Sequence, residues 1–325
     1  MEVYAGVDVG GTNIVCGIVS SAGEVLHTIK RPTESSQGPE AVLERIAVMI
    51  EDTLQIIMDQ TSSIVEIKAA GIGLPGLVDP EEGIARFSGN LGWRNLPAVN
   101  WLQNRLKLPV FIDNDVKTYV YGEAMYGAGQ GTRHVLGVTV GTGIASAMVN
   151  DGKLFYGFRN MSGEIGHIVM DGLDDRCPCG LQGCLETYAS ASGMVRQAKK
   201  LILAGERSIL RDWFEGDRLA ELSAADLSRA YDQGDSLAIA VLEKAGKLLG
   251  RALSYAVSIN SPEVIIIGGG GALAGERLLG PLKQELLQHI LPDYREHLKV
   301  VPAQNNDEAG VTGSAMYAKE KYSSL

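Results

Sequence analysis

The sequence is poor in positive charge. It contains 29 Lys and Arg residues against 39 Asp and Glu residues, which gives a formal net charge of −10. A general binder of nucleic acid or of anionic membranes needs a basic face, so this composition argues against both kinds of partner. It leaves open the binding of small anions that loops and metal ions hold locally.

Long apolar runs and a signal sequence are missing as well. No apolar run approaches the ~18 residues of a membrane helix, and the start, MEVYAGVDVGG, lacks the basic and apolar regions of a signal peptide. We therefore expect a cytoplasmic protein. Cysteine is scarce, with four residues, and disulfides are rare in the cytoplasm. Because Cys177, Cys179 and Cys184 lie close together in the chain, they indicate a metal site instead.

Glycine, in contrast, is abundant. It accounts for 40 of 325 residues, well above the usual ~7%. The glycines cluster at the ends of apolar runs, where the backbone turns sharply or approaches a ligand closely. This distribution disfavours a helical bundle, a coiled coil and a disordered tail. A chain of this length that is 45% hydrophobic can form two domains, each with its own core.

Apolar periodicity predicts alternating strands and helices, and therefore an α/β fold with mixed sheets. Strands are predicted at 3–9, 14–20, 24–30, 69–74, 110–112, 135–140, 144–149, 264–267 and near Val300. Helices are predicted at 39–58, 96–106, after Asn114-Asp115, and at 185–204, 224–231, 236–259, 277–290 and 308–321.

A weak internal repeat predicts two related lobes. The order strand, Gly/Thr turn, strand, turn, strand near the beginning of the chain recurs from residue 135. We expect an N-terminal lobe at 1–117, completed by a C-terminal helix at about 308–325. The second lobe is expected at 118–307, with a zinc-binding segment at 167–184.

Three glycine turns follow predicted strands, at 8–13, 141–143 and 268–271. Such turns point backbone N–H groups into a concavity that suits phosphate. In the first turn Thr12 and Asn13 add donors, and the carboxylate of Asp8 can hold Mg²⁺ through water. An ordinary hairpin turn explains any one of them, whereas three together favour a nucleotide site with phosphates between two lobes. The P-loop pattern is absent.

One imidazole and three thiols, from His167, Cys177, Cys179 and Cys184, have the spacing of a closed tetrahedral zinc site. All four positions are filled by protein, so the zinc would be structural. A reduced, buried cysteine cluster is one alternative and a redox pair is another, although the spacing is Cys-x-Cys rather than Cys-x-x-Cys.

Two acidic residues, Glu164 and Glu186, flank this segment. Taken singly, residues of this kind are more often solvated surface charges, whereas their position beside a rigid metal-binding segment favours a functional role. A ligating histidine commonly uses its second nitrogen too. His167 can therefore bind zinc through one nitrogen and present the other to a substrate hydroxyl.

A further polar group, Asp113-Asn114-Asp115, follows the strand at 110–112. A carboxylate there can accept a hydroxyl proton during phosphoryl transfer, and the adjacent amide can position the acceptor. If the strand continues, the two aspartates point to opposite sides and only one faces a ligand. A helix N-cap formed by Asn114 or Asp115 is the alternative interpretation.

Over nearly its whole length, the chain resembles the ROK family of sugar kinases. The motifs are DVGGTN (8–13), GIGLPGLVD (71–79), DND (113–115), GTGI (141–144), GEIGH (163–167) and the very specific CPCGLQGCLE (177–186). The resemblance implies a two-lobed actin/hexokinase-like (ribonuclease H-like) fold with an interdomain cleft. It also implies ATP with Mg²⁺ and phosphoryl transfer to a hexose, for which we expect glucose at its 6-hydroxyl.

The resemblance assigns roles by position. Asp115 is the general base and also contacts the sugar. The other implied sugar contacts are Gly76, Asn90, Asn114, Glu164, His167 and Glu186. The implied nucleotide contacts are Asp8, Gly10, Gly11, Thr12, Asn13, Gly141, Thr142, Gly143, Gly269 and Gly270.

Alternatives within the family stay open at this point. N-acetylmannosamine, N-acetylglucosamine, fructose or another hexose can replace glucose, and a non-catalytic sugar-binding or regulatory protein is a further reading. Family repressors carry an added N-terminal helix-turn-helix, for which the few residues before Asp8 leave no room.

The sequence departs from the family pattern at one motif. GTGI is usually followed by more glycines, whereas Ala145-Ser146-Ala147 follow here. Since their side chains are small, we expect ATP binding to persist. The resemblance also suggests a homodimer or larger assembly.

Overall fold

The structure is a computed structural model that describes residues 1–61, 65–214, 216–305 and 308–324. The strands are β1 (Glu2–Val9), β2 (Asn13–Ser20), β3 (Val25–Pro32), β4 (Glu66–Leu74), β5 (Leu77–Asp79), β6 (Ile84–Ser88), β7 (Trp93–Leu96), β8 (Val110–Asn114), β9 (His134–Val140), β10 (Ile144–Asn150), β11 (Lys153–Leu154), β12 (Val264–Gly268) and β13 (Lys299–Pro302). The α-helices are α1 (Pro39–Gln60), α2 (Ala98–Leu106), α3 (Asp115–Tyr126), α4 (Glu186–Ala189), α5 (Ala191–Leu203), α6 (Ile209–Trp213), α7 (Ala224–Asp232), α8 (Ser236–Asn260), α9 (Glu276–Gln288), α10 (Pro292–Arg295) and α11 (Ala309–Tyr322). The predicted mixed α/β class is confirmed.

Contacts divide the chain into two compact units. The first contains residues 1–133, 147–162 and 304–325, and the second contains residues 134–146 and 163–303. The first unit continues beyond residue 118 because α3 packs on α11 within it. The predicted boundary near 118, which rests on the internal repeat, stays a prediction. The last residue of the predicted terminal helix, at 325, lies outside the described residues.

The first unit is built on a five-stranded sheet in the order β3-β2-β1-β4-β8. β1 runs antiparallel to β2 and parallel to β4, and β4 runs parallel to β8. The carboxyl ends of β1, β4 and β8 therefore meet at one edge. Helix α1 turns an apolar stripe onto this sheet, and its buried residues share a core with the strands. The core forms because the helix repeats its apolar side chains every three to four residues.

Helix α11 lies against this sheet at backbone distance. A Cβ atom on Gly6 would stand 2.0 Å from the carbonyl oxygen of Val311, and one on Gly71 would stand 1.8 Å from that of Ser314. On the other side, a Cβ on Gly313 of the helix would meet the Thr118 carbonyl at 1.8 Å. Only glycine leaves room for this packing, which explains part of the glycine excess.

The second unit has a core formed by strands β9 and β12 with helices α5, α8 and α9. Within this unit, β12 runs parallel to both β9 and β13. The carboxyl ends of β9 and β12 therefore lie side by side. This repeats the arrangement in the first unit, where parallel strands end together.

Two parts of the secondary-structure prediction are wrong or incomplete. The helix predicted at 185–204 is interrupted at Ser190, which has extended backbone and caps α5 by accepting a hydrogen bond from the N–H of Gly193. The small sheet β5-β6-β7 was not predicted, because strands of three to five residues give little periodic signal. No helix of the described segments is both long and apolar enough to cross a membrane.

Candidate active site

In the first unit, polar residues line the carboxyl edge of the sheet. Pairing places Asp8 of β1 opposite Gly73 of β4, and Gly73 opposite Asp113 of β8. Ligands of open α/β sheets bind at this edge, where the strands end. Residues 113–115, which we call the catalytic turn, therefore lie in the same row as Asp8.

Asn114 joins the end of β8 to the start of α3. Its side-chain oxygen accepts from the backbone N–H groups of Val116 and Lys117, each at 3.1 Å, so it is the N-cap that the alternative interpretation foresaw. Its amide nitrogen donates to the Gly76 carbonyl at 3.1 Å and to Asp115 Oδ1 at 2.9 Å. The Asn114 side chain thus caps α3 and also contacts Gly76 and Asp115. These three predicted site residues therefore lie together.

Asp115 is the first residue of α3 and is half-buried. Burial, and then the negative charge of Asp8, raise the pKa of Asp115 to about 7. Burial also raises the pKa of Asp8 to about 6. A carboxyl group with a pKa near neutrality has the proton affinity of an effective general base. Asp8 is one cause of that affinity.

Asp113 has a different environment. It is 1% exposed, and its two oxygens accept from the Asn114 N–H at 2.7 Å and from the Tyr156 hydroxyl at 2.6 Å. Burial raises the pKa of Asp113. Of the two aspartates, only Asp115 is thus partly accessible.

The glycine turn after β1 lies next to the loop that carries Asn90. The Gly10 N–H donates to the Asn13 carbonyl at 2.9 Å, and the Gly10 carbonyl accepts from Thr33 Oγ1 at 2.7 Å. A Cβ on Gly11 would lie 3.5 Å from the Asn90 Cβ. Gly11 and Thr12 are exposed, so their N–H groups and the Thr12 hydroxyl can reach a ligand.

In the second unit, the two remaining glycine turns are adjacent. Gly141 follows β9, and its N–H donates to the Gly143 carbonyl at 2.9 Å, with Thr142 exposed at the tip. Gly269 follows β12 with φ +82°, and a Cβ there would lie 2.7 Å from the Val140 carbonyl oxygen. The exposed Gly270 comes next. Both turns therefore stand at one sheet edge, as a shared nucleotide site requires.

The predicted metal ligands form one cluster in the second unit. The donor atoms of His167, Cys177, Cys179 and Cys184 all lie within 4.8 Å of one another. Cys179 Sγ is 3.6 Å from Cys184 Sγ, and Cys177 Sγ is 3.7 Å from His167 Nδ1. Tetrahedral zinc with Zn–S bonds of ~2.3 Å separates two sulfur ligands by about 3.8 Å. These two donor pairs match this spacing, and the chemistry of the four donors suits zinc.

Glu186 connects this cluster to the glycine turn after β9. Its Oε1 is 3.1 Å from Cys177 Sγ and 3.7 Å from His167 Nδ1. A Cβ on Gly143 would stand only 2.6 Å from Glu186 Oε2. On the opposite edge of the imidazole, Glu164 Oε2 lies 3.6 Å from His167 Nε2. Nδ1 thus faces the thiols, and Nε2 faces Glu164 and remains available to a substrate.

Two serines that sequence reasoning missed support these loops. The N–H and hydroxyl of Ser146 both donate to the Gly163 carbonyl, at 2.8 and 3.0 Å. The departure from glycine at this position thus secures the loop before Glu164. Ser192 Oγ donates to the Thr142 carbonyl at 2.5 Å. The Ser190-Ala191-Ser192 sequence was the available signal, because serine before a helical stretch is typical of an N-cap.

Comparisons with known proteins identify the family and relatives of this chain. The profile of the ROK family matches residues 4–321. A glucokinase of Thermotoga maritima is 36% identical over 317 residues, 97% of each chain. A xylose repressor of Caldicellulosiruptor bescii is 29% identical over 95% of this chain and 76% of its own length.

Among solved structures, a ROK family glucokinase from Streptomyces griseus in complex with glucose and AMPPNP superposes with a TM-score of 0.83 at 30% identity. The match covers 98% of this chain and 99% of that one. The fold expected from the motifs is thereby confirmed. With a family profile that spans nearly all of its residues, this chain belongs to the ROK family.

Proposed function

We propose that this protein transfers the γ-phosphoryl group of ATP to the 6-hydroxyl of glucose, with Asp115 as the general base. The observation that carries the proposal is the position of Asp115. It is held at the start of α3 by Asn114, and burial and Asp8 raise its pKa to about 7. The full-length similarity to glucokinases of other organisms supports hexose phosphorylation.

Phosphoryl transfer requires little covalent chemistry from the protein itself. Phosphoryl transfer passes through a loose transition state, so positioning and charge stabilisation dominate. The acceptor hydroxyl loses its proton late, and Asp115 receives it. A base of this kind contributes ~10²–10⁴-fold to the rate. Asn114, whose amide already contacts Asp115, orients the same hydroxyl.

The nucleotide contacts are proposed at both carboxyl edges. Backbone N–H groups of the turns at 10–12 and 141–143 and the residues Gly269 and Gly270 would bind phosphates and the adenosine side of ATP. Asp8 would hold Mg²⁺ through water, since a single carboxylate at a strand end suits a cation that keeps its hydration shell. Mg²⁺ neutralises charge on the β- and γ-phosphates when it is bound.

The sugar contacts are proposed on Asn90, Asn114, Gly76, Glu164, His167 and Glu186. His167 illustrates how the metal cluster serves them. With Nδ1 toward the thiols, the imidazole is held in one orientation and Nε2 points to Glu164. A zinc ion bound by His167 and the three cysteines would fix the loop that carries these groups. Burial raises the pKa of Cys177 and Cys184, so metal binding would displace their protons.

A coupled assay of ADP release over a panel of hexoses tests the proposal. The panel contains glucose, mannose, fructose, N-acetylglucosamine and N-acetylmannosamine, each with ATP and Mg²⁺. We expect the highest kcat/KM with glucose. A higher value for another sugar would reassign the acceptor, and no ADP release with any sugar would remove the kinase assignment in favour of a sugar-binding regulator. Size-exclusion chromatography with light scattering tests the predicted homodimer or larger assembly.

A further inference from the structure

A half-buried tyrosine and a buried lysine connect the catalytic turn to the segment at 155–162. The Tyr156 hydroxyl donates to Asp113 Oδ2 over 2.6 Å. The Lys117 ammonium donates to the Asn160 carbonyl over 2.7 Å and lies 5.7 Å from the centre of the Tyr156 ring. Asp113 is 1% exposed and Lys117 5% exposed. The Asp113 carboxylate and the Lys117 ammonium are therefore shielded from water, and a shielded polar group without a partner is costly.

Tyr156 is the donor in its pair. Burial, followed by the charge of Asp113, raises the pKa of Tyr156, so the hydroxyl keeps its proton. The other oxygen of Asp113 accepts from the Asn114 N–H at 2.7 Å. One carboxylate thus holds the backbone of the catalytic turn and, on its opposite side, the tyrosine.

The position of this pair relates it to catalysis. Asn114 caps α3 and donates to Asp115 Oδ1, so a shift of the Asn114 backbone moves the base and its amide neighbour together. A displacement of about 1 Å in a reacting group can lower turnover by ~10²-fold. The 155–162 segment also runs directly into Gly163 and Glu164 in the sequence.

We propose that Tyr156 is a positioning residue for phosphoryl transfer: its hydroxyl fixes Asp113, and through Asp113 it fixes Asn114 and the carboxylate of Asp115. The effect on turnover rests on the function proposed above, whereas the ordering of the catalytic turn does not. A purely structural role would lower stability without a selective change in kcat.

The test compares Tyr156→Phe with Tyr121→Phe. Tyr121 is the control because it is a tyrosine of α3 that is more deeply buried than Tyr156, and it packs edge-on against Tyr317 with ring centres 6.4 Å apart. We expect Tyr156→Phe to lower kcat by about tenfold or more, with the KM for ATP within about twofold of wild type. Tyr121→Phe should keep kcat. A third variant, Tyr317→Phe, should show a smaller loss, since its hydroxyl is 3.4 Å from that of Tyr156.

Hydrogen–deuterium exchange gives a readout that needs no substrate. In Tyr156→Phe, the amides at 113–118 and 156–162 should exchange faster than in wild type. In Tyr121→Phe, the same amides should exchange at the wild-type rate. Unchanged exchange and kcat in Tyr156→Phe, equal effects in both variants, or failure of Tyr156→Phe to fold would each overturn the inference. If wild type shows no kinase activity, the proposed function fails, and the exchange comparison still decides whether Tyr156 orders the catalytic turn.

Discussion

Replacing Asp115 by asparagine should abolish most turnover and at the same time stabilise the fold above neutral pH. Burial and the charge of Asp8 raise the folded-state pKa of this carboxyl to about 7, from an ordinary value of 3.8. Between these pH values the folded state binds more protons than the unfolded state, so the free energy of unfolding falls as pH rises. One pKa unit corresponds to ~1.4 kcal/mol, which gives an upper bound of about 4 kcal/mol for the whole shift.

An asparagine at position 115 can accept the same hydrogen bonds as the carboxylate. Asn114 Nδ2 and the Val116 N–H both donate to Asp115 Oδ1, which the amide oxygen can replace. The substitution also removes the negative charge of Asp115, which burial and the charge of Asp8 disfavour. From pH 5 to pH 8, wild type should therefore lose up to about 3 kcal/mol more unfolding free energy than Asp115→Asn.

Urea denaturation at the two pH values measures this difference, and the ADP assay should show a loss of ~10²–10⁴-fold in kcat. Asp235→Asn is the control, because Asp235 is a buried helix cap that accepts from the N–H groups of Ile209 and Ala238. Asp235→Asn should lower the free energy of unfolding and leave kcat unchanged. If Asp115→Asn were less stable than wild type at pH 8, or retained near-wild-type turnover, the reasoning would be refuted.

Three further substitutions test other features. Purified protein should contain about one zinc per chain by elemental analysis, and Cys179→Ser should lose it; metal-free wild type with full stability would remove the zinc site. Gly143→Ala places a methyl 2.6 Å from a Glu186 oxygen, so the KM values for sugar and ATP should rise, while Gly280→Ala, which has room in α9, should not change them. Gly71→Ala should lower the unfolding free energy by about 3 kcal/mol in thermal or urea denaturation, since its Cβ would overlap a backbone carbonyl; an unchanged midpoint would contradict the packing described for α11.

The parts of the site that could be predicted are those that a short stretch of sequence is enough to indicate. Asp8 and Asn114 follow short apolar runs, and an apolar run that ends in a polar or glycine residue marks both the strand and its carboxyl end. The cysteine spacing likewise predicts that these side chains share a metal site without any knowledge of the fold, and their donor atoms do lie together. For the four His and Cys side chains, the sequence predicted a grouping that the structure shows.

Contacts between distant residues could not be predicted in this way. Tyr156 and Asp113 are 43 positions apart, and nothing in either segment's periodicity records their hydrogen bond. The break at Ser190 was missed because the apolar pattern continues across it, while the serine acts through its own side chain. The identity of the acceptor sugar stays a prediction, because residue types alone do not specify the shape of the loops that would select it.

The close packing of α11 has a consequence for the order of folding. The sheet of the first unit is complete in sequence by residue 114, yet its glycines Gly6 and Gly71 are shaped to receive a helix that the chain supplies only from Ala309 onward. Domains tend to fold as units while the chain is being synthesised. The second unit, at 134–146 and 163–303, can therefore finish before the first. Until α11 emerges, the row of glycines remains uncovered, and a chaperone or a neighbouring nascent chain would meet it in that interval.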